Sequence, residues 1–111
     1  MRLEEKALLH DIHSAGVKVQ TFTEGKIFED YQGDDMMRAA VERQFEIIGE
    51  ALSLLAKRNK ELAAQIGAYQ RIIAFRNILI HGYARVDDRL VWSVVEERLD
   101  ILLNEVQSLT E

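Results

Sequence analysis

Apolar residues recur at three- and four-residue intervals along most of this chain, and that spacing predicts helices. Leu8, Ile12, Ala15, Val19 and Phe22 form one stripe, so Leu3 to about Gln20 reads as a first helix. Thr21-Phe-Thr-Glu24 resembles a capping box, and a short second helix follows through Ile27 and Phe28 until Gly33 ends it. Asp34 or Asp35 is placed to cap the next helix. That helix runs from Met36 to about Arg58, with Met37, Val41, Gln44, Ile48, Ala51, Leu52 and Leu55 on one side and Phe45 widening the stripe. Lys57 and Arg58 sit in its last turn, where positive side chains suit the helix dipole.

Asn59 and Lys60 mark a break. Leu62 to Ile66 fits a short helix or a loop turn equally well. Tyr69 to about Ile80 is a further helix, apolar on most sides through Ile72, Ile73, Ala74, Phe75, Ile78, Leu79 and Ile80. A helix apolar all round is buried all round. In a small protein this implies one side in its own bundle and another against a partner copy, hence a homodimer. Gly82 is placed to stop this helix, and Asp87 to cap a single final helix carrying Leu90, Val91, Val94, Val95, Leu99, Leu102, Val106 and Leu109. Ile72-Ile73 and Val94-Val95 are β-branched pairs, but their flanks continue at helical spacing. The expectation is an all-α four-helix bundle with one additional short helix.

With 111 residues there is room for one domain, 1–111. There is no cysteine, which removes disulfides, thiolate metal sites and cysteine nucleophiles. There is no proline either, in keeping with long uninterrupted helices. The opening Met-Arg-Leu-Glu-Glu-Lys is charged, and no apolar run reaches bilayer-spanning length, so a cytoplasmic protein without a membrane segment is expected. A net charge of −5 argues against extensive wrapping of nucleic acid. It leaves room for a local basic pocket, since Arg71, Arg76, Arg85 and Arg89 fall near one stretch.

The candidate chemistry gathers at Arg76, Asn77, His81, Gly82 and Tyr83. Asn77 and His81 are four apart and share a helix face if the helix reaches that far. Arg76 and Tyr83 are seven apart. An imidazole can donate or accept a proton near neutral pH, and a guanidinium offers a fixed fork of donors to a phosphate. Together they could cleave a phosphodiester without a metal. Each residue also has a structural reading: His81 as a helix C-cap, Arg76 paired with Glu46 or Glu50, Tyr83 as a packing residue. Elsewhere, His10 and His13 have a spacing that could hold a metal, but no neighbouring acid completes a set. Glu46 and Glu50 lack an accompanying Glu-x-x-His motif. No glycine-rich phosphate loop is present. No metal and no cofactor are expected.

The stretch Arg76-Asn-Ile-Leu-Ile-His81-Gly-Tyr83 resembles the signature of the HEPN superfamily, in the branch of HepT-like toxins. The resemblance extends upstream to Ala40-Val-Glu-Arg-Gln-Phe-Glu-Ile-Ile-Gly-Glu-Ala51 and downstream to Val86-Asp87 and Val91-Trp92, covering nearly the whole chain. One departure is the approach to the signature helix. It reads Ala63-Ala-Gln-Ile-Gly-Ala68 here, where family members often carry Pro and Trp.

The resemblance implies a dimeric, metal-independent ribonuclease toxin whose two signature segments meet at one cleft. Arg76 would hold the phosphate, His81 would transfer protons, and Asn77 would orient a partner group. The RNA's own 2′-hydroxyl would attack, leaving a cyclic phosphate. The implied partner is an MntA-like nucleotidyltransferase antitoxin that transfers AMP to Tyr83. A second reading makes the chain a non-catalytic nucleotide- or substrate-binding subunit of such a nucleotidyltransferase. A third makes it a plain dimerisation module.

Overall fold

Seven helices follow one another in the structure, a computed structural model that describes residues 1–82 and 86–111. They are α1 (Leu3–Thr23), α2 (Phe28–Gln32), α3 (Asp35–Arg58), α4 (Lys60–Ala64), α5 (Tyr69–His81), α6 (Asp88–Glu97) and α7 (Leu99–Thr110). No strand occurs among the described residues. The fold is an all-α bundle of four long helical arms: α1, α3, α5 and the α6–α7 pair. Two short helices accompany them, where the sequence pattern predicted one.

α3 is the central helix. It packs against α1 on one side and α5 on another, with α2 and α4 at its ends. Its buried positions are Met37, Val41, Phe45, Ile48, Gly49, Ala51, Leu52 and Leu55. Phe45 is therefore a core residue, 1 % exposed, and meets Phe75 of α5 edge-on with ring centroids 5.4 Å apart. Such pairs add roughly 0.5–1.5 kcal/mol beyond the area they bury. Tyr31 of α2 and Trp92 of α6 form a second aromatic contact at 5.3 Å, pinning α6 against α2.

Two local expectations are corrected and one open choice is settled. First, α1 continues to Thr23, and Thr21-Phe-Thr-Glu24 does not start a helix. The Thr21 and Thr23 hydroxyls donate backwards to the carbonyls of Val17 and Val19, at 3.0 and 2.8 Å, so they extend the helix in place of capping the next one. Phe22, assigned to the core stripe, is left 36 % exposed. The cap of α2 lies further on, where Asp30 accepts from the Ile27 backbone N–H at 3.0 Å. Second, the open choice at Leu62 to Ile66 divides: residues 62–64 belong to α4, and Gln65 and Ile66 form the turn that follows it. Asn59 closes α3 through its own N–H and opens α4 by accepting from the Leu62 N–H at 3.1 Å.

Third, the final helix is broken at Arg98, with φ −118° and ψ −29°. Backbone hydrogen bonds run into and out of this residue, Arg98 to Val94 and Leu102 to Arg98, both 3.0 Å. No glycine or proline marks the break. The caps predicted at Gly33, Asp34 and Asp87 are all in place. The Gly33 N–H bonds Glu29, Asp34 accepts from Met37, and Asp87 accepts from Arg89.

No helix among the described residues is long and apolar enough to cross a membrane.

Candidate functional site

The site is assembled on the C-terminal half of α5, where that helix lies across α3. Ile72, Phe75 and Leu79 are its buried residues, spaced three and four apart, and they turn Arg76 toward the α3 backbone. At the crossing α3 presents Gly49. A β-carbon built there would lie 2.2 Å from the Arg76 Cβ and 2.6 Å from its Cγ. Glycine is the residue that admits this approach. The next residue, Glu50, forms an ion pair with the Arg76 guanidinium through Nη2. The other terminal nitrogen, Nη1, donates to the Asn77 side-chain oxygen at 2.9 Å. The Arg76 side chain is 24 % exposed, enough to meet a ligand from solvent.

α5 does reach His81, its last residue, so Asn77 and His81 share a face as their spacing required. His81 is exposed. Gly82 closes the helix by donating its N–H to the Ile78 carbonyl at 2.8 Å. It does so with φ −83°, so left-handed geometry is not the reason for a glycine here. A β-carbon at this position would instead fall 2.7 Å from that same carbonyl oxygen. Tyr83 and Arg85 lie outside the described residues.

Among the described residues, the other two arginines of that stretch have surroundings of their own. Arg89 stacks over the Phe28 ring at 4.2 Å, and Arg71 lies exposed on α5. The choice between Glu46 and Glu50 falls to Glu50, because Glu46 instead accepts from Arg43 at 3.3 Å. Glu42, Glu46 and Glu50 repeat every four residues along α3. Burial holds the Glu42 carboxyl above the usual carboxylate range, and the Asp88 and Glu46 charges push it the same way while Arg38 opposes them. Tyr31 is also raised, first by burial and then by the Glu42 and Asp88 charges.

His10 is exposed and His13 half-buried; both line a cleft between α1 and α7 with Lys6 and Gln107. Among the described residues no group of three or more His, Asp or Glu is placed to hold a metal ion.

The family model described as Ribonuclease HepT-like matches residues 12–109. The chain belongs to the HepT-like family. That match spans the whole α3–α5 crossing and the final helices. Among family relatives, a protein of Methanocaldococcus jannaschii named as an RNase is 33 % identical over 92 % of this chain and 93 % of its own length. A Thermococcus cleftensis protein named as a ribonuclease HepT is 34 % identical, covering 98 % of each chain. A second M. jannaschii protein is named both a gamma-glutamylcyclotransferase and an RNase. It is 31 % identical over this whole chain, which spans 50 % of that longer protein. No solved structure matches the chain at comparable significance.

The structure also supplies what the sequence pattern could not. Gly49 and Glu50 belong to the site, and their signal was the Ile48-Gly-Glu-Ala51 block within the family resemblance. Glu50 is one of the two partners the sequence offers for Arg76, whereas nothing in the local pattern of α3 links Gly49 to it.

Proposed function

We propose that this HepT-like chain is a metal-independent endoribonuclease acting as the toxin of a toxin–antitoxin pair. The observation that carries the reading is the Arg76 guanidinium. It is held at a helix crossing by Glu50 and Asn77 and still open to solvent, one turn from an exposed imidazole at the end of the same helix. Arg76 binds the scissile phosphate and the charge that develops on it. The 2′-hydroxyl of the RNA attacks phosphorus and the bond to the 5′-oxygen breaks, giving a 2′,3′-cyclic phosphate and a free 5′-hydroxyl. A His81 imidazole takes the proton from the attacking hydroxyl, and an imidazolium returns one to the leaving oxygen. Two protomers supply two such imidazoles to one cleft. Asn77 keeps the guanidinium turned toward the phosphate.

The partner is an MntA-like nucleotidyltransferase that adds AMP to Tyr83. The modification brings a phosphodiester charge and a bulky base beside Arg76, and so blocks incoming RNA. One experiment tests the whole reading. The purified chain is expected to cleave cellular RNA in the presence of a chelator and to leave cyclic-phosphate ends. Incubation with the nucleotidyltransferase and ATP should add whole AMP increments to its mass and stop cleavage, and Tyr83→Phe should escape both effects. Cleavage abolished by chelator and restored by magnesium would sink the metal-independent mechanism. Silencing without a mass change would leave a binding antitoxin in place of a modifying one.

Dimerisation has its own support. α5 buries one side against α3, while Ile78 stays 48 % exposed and Leu90 of α6 37 %. These two residues, with Ala74 and Val94, line a groove of about 340 Å³ between α5 and α6. On α5, Phe75 packs in the protomer's own core and Ile78 does not. Sedimentation velocity should therefore give a dimer for the wild type and a folded monomer for Ile78→Glu, because an unpaired charge is costly to bury. A wild type that sediments only as monomer at micromolar concentration would refute the shared cleft.

A further inference from the structure

We infer that Gly49 and Glu50 form a seat that fixes the Arg76 guanidinium for phosphate, with Glu50 acting as a positioning residue for cleavage; this rests on the ribonuclease reading above. The seat has two parts. Gly49 lets the first carbons of the Arg76 side chain lie directly on the α3 backbone, so the arm starts from a surface that cannot rotate away. Glu50 then takes one terminal nitrogen of the guanidinium, and Asn77 takes the other. A guanidinium has five N–H donors in a rigid plane. Two such contacts fix the plane and leave donors for an incoming phosphate. Arginine carries large rotamer entropy, and a pre-set fork loses less of it on binding.

Glu50 is ill suited to be only a stability device. Its side chain is 51 % exposed, and an ion pair so open to solvent contributes little to folding. Its charge should also weaken phosphate binding in the ground state, because it partly neutralises Arg76. Positioning thus has a distinctive signature: loss of Glu50 slows turnover without weakening binding. A residue that merely holds the fold would lower both together with the melting temperature.

The test compares wild type with Glu50→Gln, which keeps an acceptor oxygen, and Glu50→Ala, which keeps none. Three quantities are measured: the Arg76 side-chain ¹⁵N–¹H signals, affinity for a mixed-sequence 2′-deoxy oligonucleotide that cannot be cleaved, and kcat and KM on the matching RNA. In the wild type the Arg76 guanidinium should give restrained, slowly exchanging signals that are lost in Glu50→Ala. Turnover should fall roughly 10- to 100-fold in Glu50→Ala, the scale expected when a reacting group is misplaced by about an ångström. Glu50→Gln should fall between. Affinity for the deoxy probe should stay level or tighten, and thermal melting should be unchanged.

A freely rotating Arg76 guanidinium in the wild type overturns the inference, and so does unaltered kcat in Glu50→Ala. A restrained guanidinium in a wild type that cleaves no RNA overturns the ribonuclease reading and, with it, Glu50's role in turnover.

Discussion

Replacing His81 by Ala should lower RNA cleavage by roughly 10² to 10⁴, the range for loss of a general acid–base group. The fold should be unaffected, because His81 is exposed on the last turn of α5 and the helix is closed by the Gly82 N–H to the Ile78 carbonyl. Surface changes of this kind usually alter stability by no more than about 0.5 kcal/mol. Replacing Arg76 by Ala should cost about 10² to 10³ in kcat, comparable to removing one donor to a transition-state oxyanion. Arg76→Lys should resemble Ala more than wild type. Lysine keeps the charge, but it cannot bond Glu50, Asn77 and a phosphate through one plane.

The double variant separates catalysis from binding. Residues acting as a unit are non-additive, so Arg76→Ala with His81→Ala should cost little more than the worse single change. Single-turnover cleavage of a labelled RNA, run beside a thermal melt, checks all four proteins. If His81→Ala cleaves normally while Arg76→Ala only weakens nucleotide binding, the catalytic reading fails and the non-catalytic subunit reading replaces it.

Which features are legible in the sequence depends on whether their signal is local. The long helices are legible because their stripes persist for several turns: Ile12 and Val19 in α1 and Val41, Ile48, Leu52 and Leu55 in α3 are all fully buried, although the first turns of α1 bury Leu9 and leave Leu8 of the predicted stripe half-buried. Asp34 and Asp87 are legible because a cap bonds an amide two or three residues away. Leu62 to Ile66 was too short for periodicity to decide, and the Asn59 side chain settles it by capping α4. Thr21 and Thr23 misled because a threonine hydroxyl can bond forward as a cap or backward to the preceding turn, and sequence does not say which. The break at Arg98 had no glycine or proline to announce it.

The site divides the same way. That Asn77 and His81 share a face follows from spacing once α5 is known to reach residue 81. The choice of Glu50 over Glu46 does not, because the two lie one turn apart and either could face α5. Only the crossing of α3 and α5 decides it. The roles given to Arg76, His81 and Tyr83 come from family resemblance, since residue chemistry and spacing alone favour a structural reading of His81 and Tyr83 and divide evenly on Arg76.

That crossing yields the second large expected effect, on stability. Gly49→Ala should destabilise the protein, although alanine is the better helix former by about 1 kcal/mol. The added methyl would sit 2.2 Å from the Arg76 Cβ, an atom fixed by the α5 backbone, so no rotamer change can relieve the clash. α3 and α5 must separate, which strains the Phe45–Phe75 contact between the same two helices. Overpacking of this kind costs about 1–3 kcal/mol and at times more. Gly16 on α1 provides the internal control. A methyl there would meet the Leu103 Cδ2 at 2.5 Å, but that atom is the far end of a flexible side chain. Leu103 can swing aside, and the gain in helix propensity offsets much of the cost.

Urea titrations should therefore move the midpoint of Gly49→Ala well below wild type, at an unchanged slope, while Gly16→Ala stays close to wild type. Gly49→Ala should also displace Arg76 and lose cleavage in step with the Glu50 variants. Equal midpoints for the two alanine variants would mean that α3 and α5 are not packed as closely as the Gly49–Arg76 approach requires, and the seat beneath Arg76 would go with it.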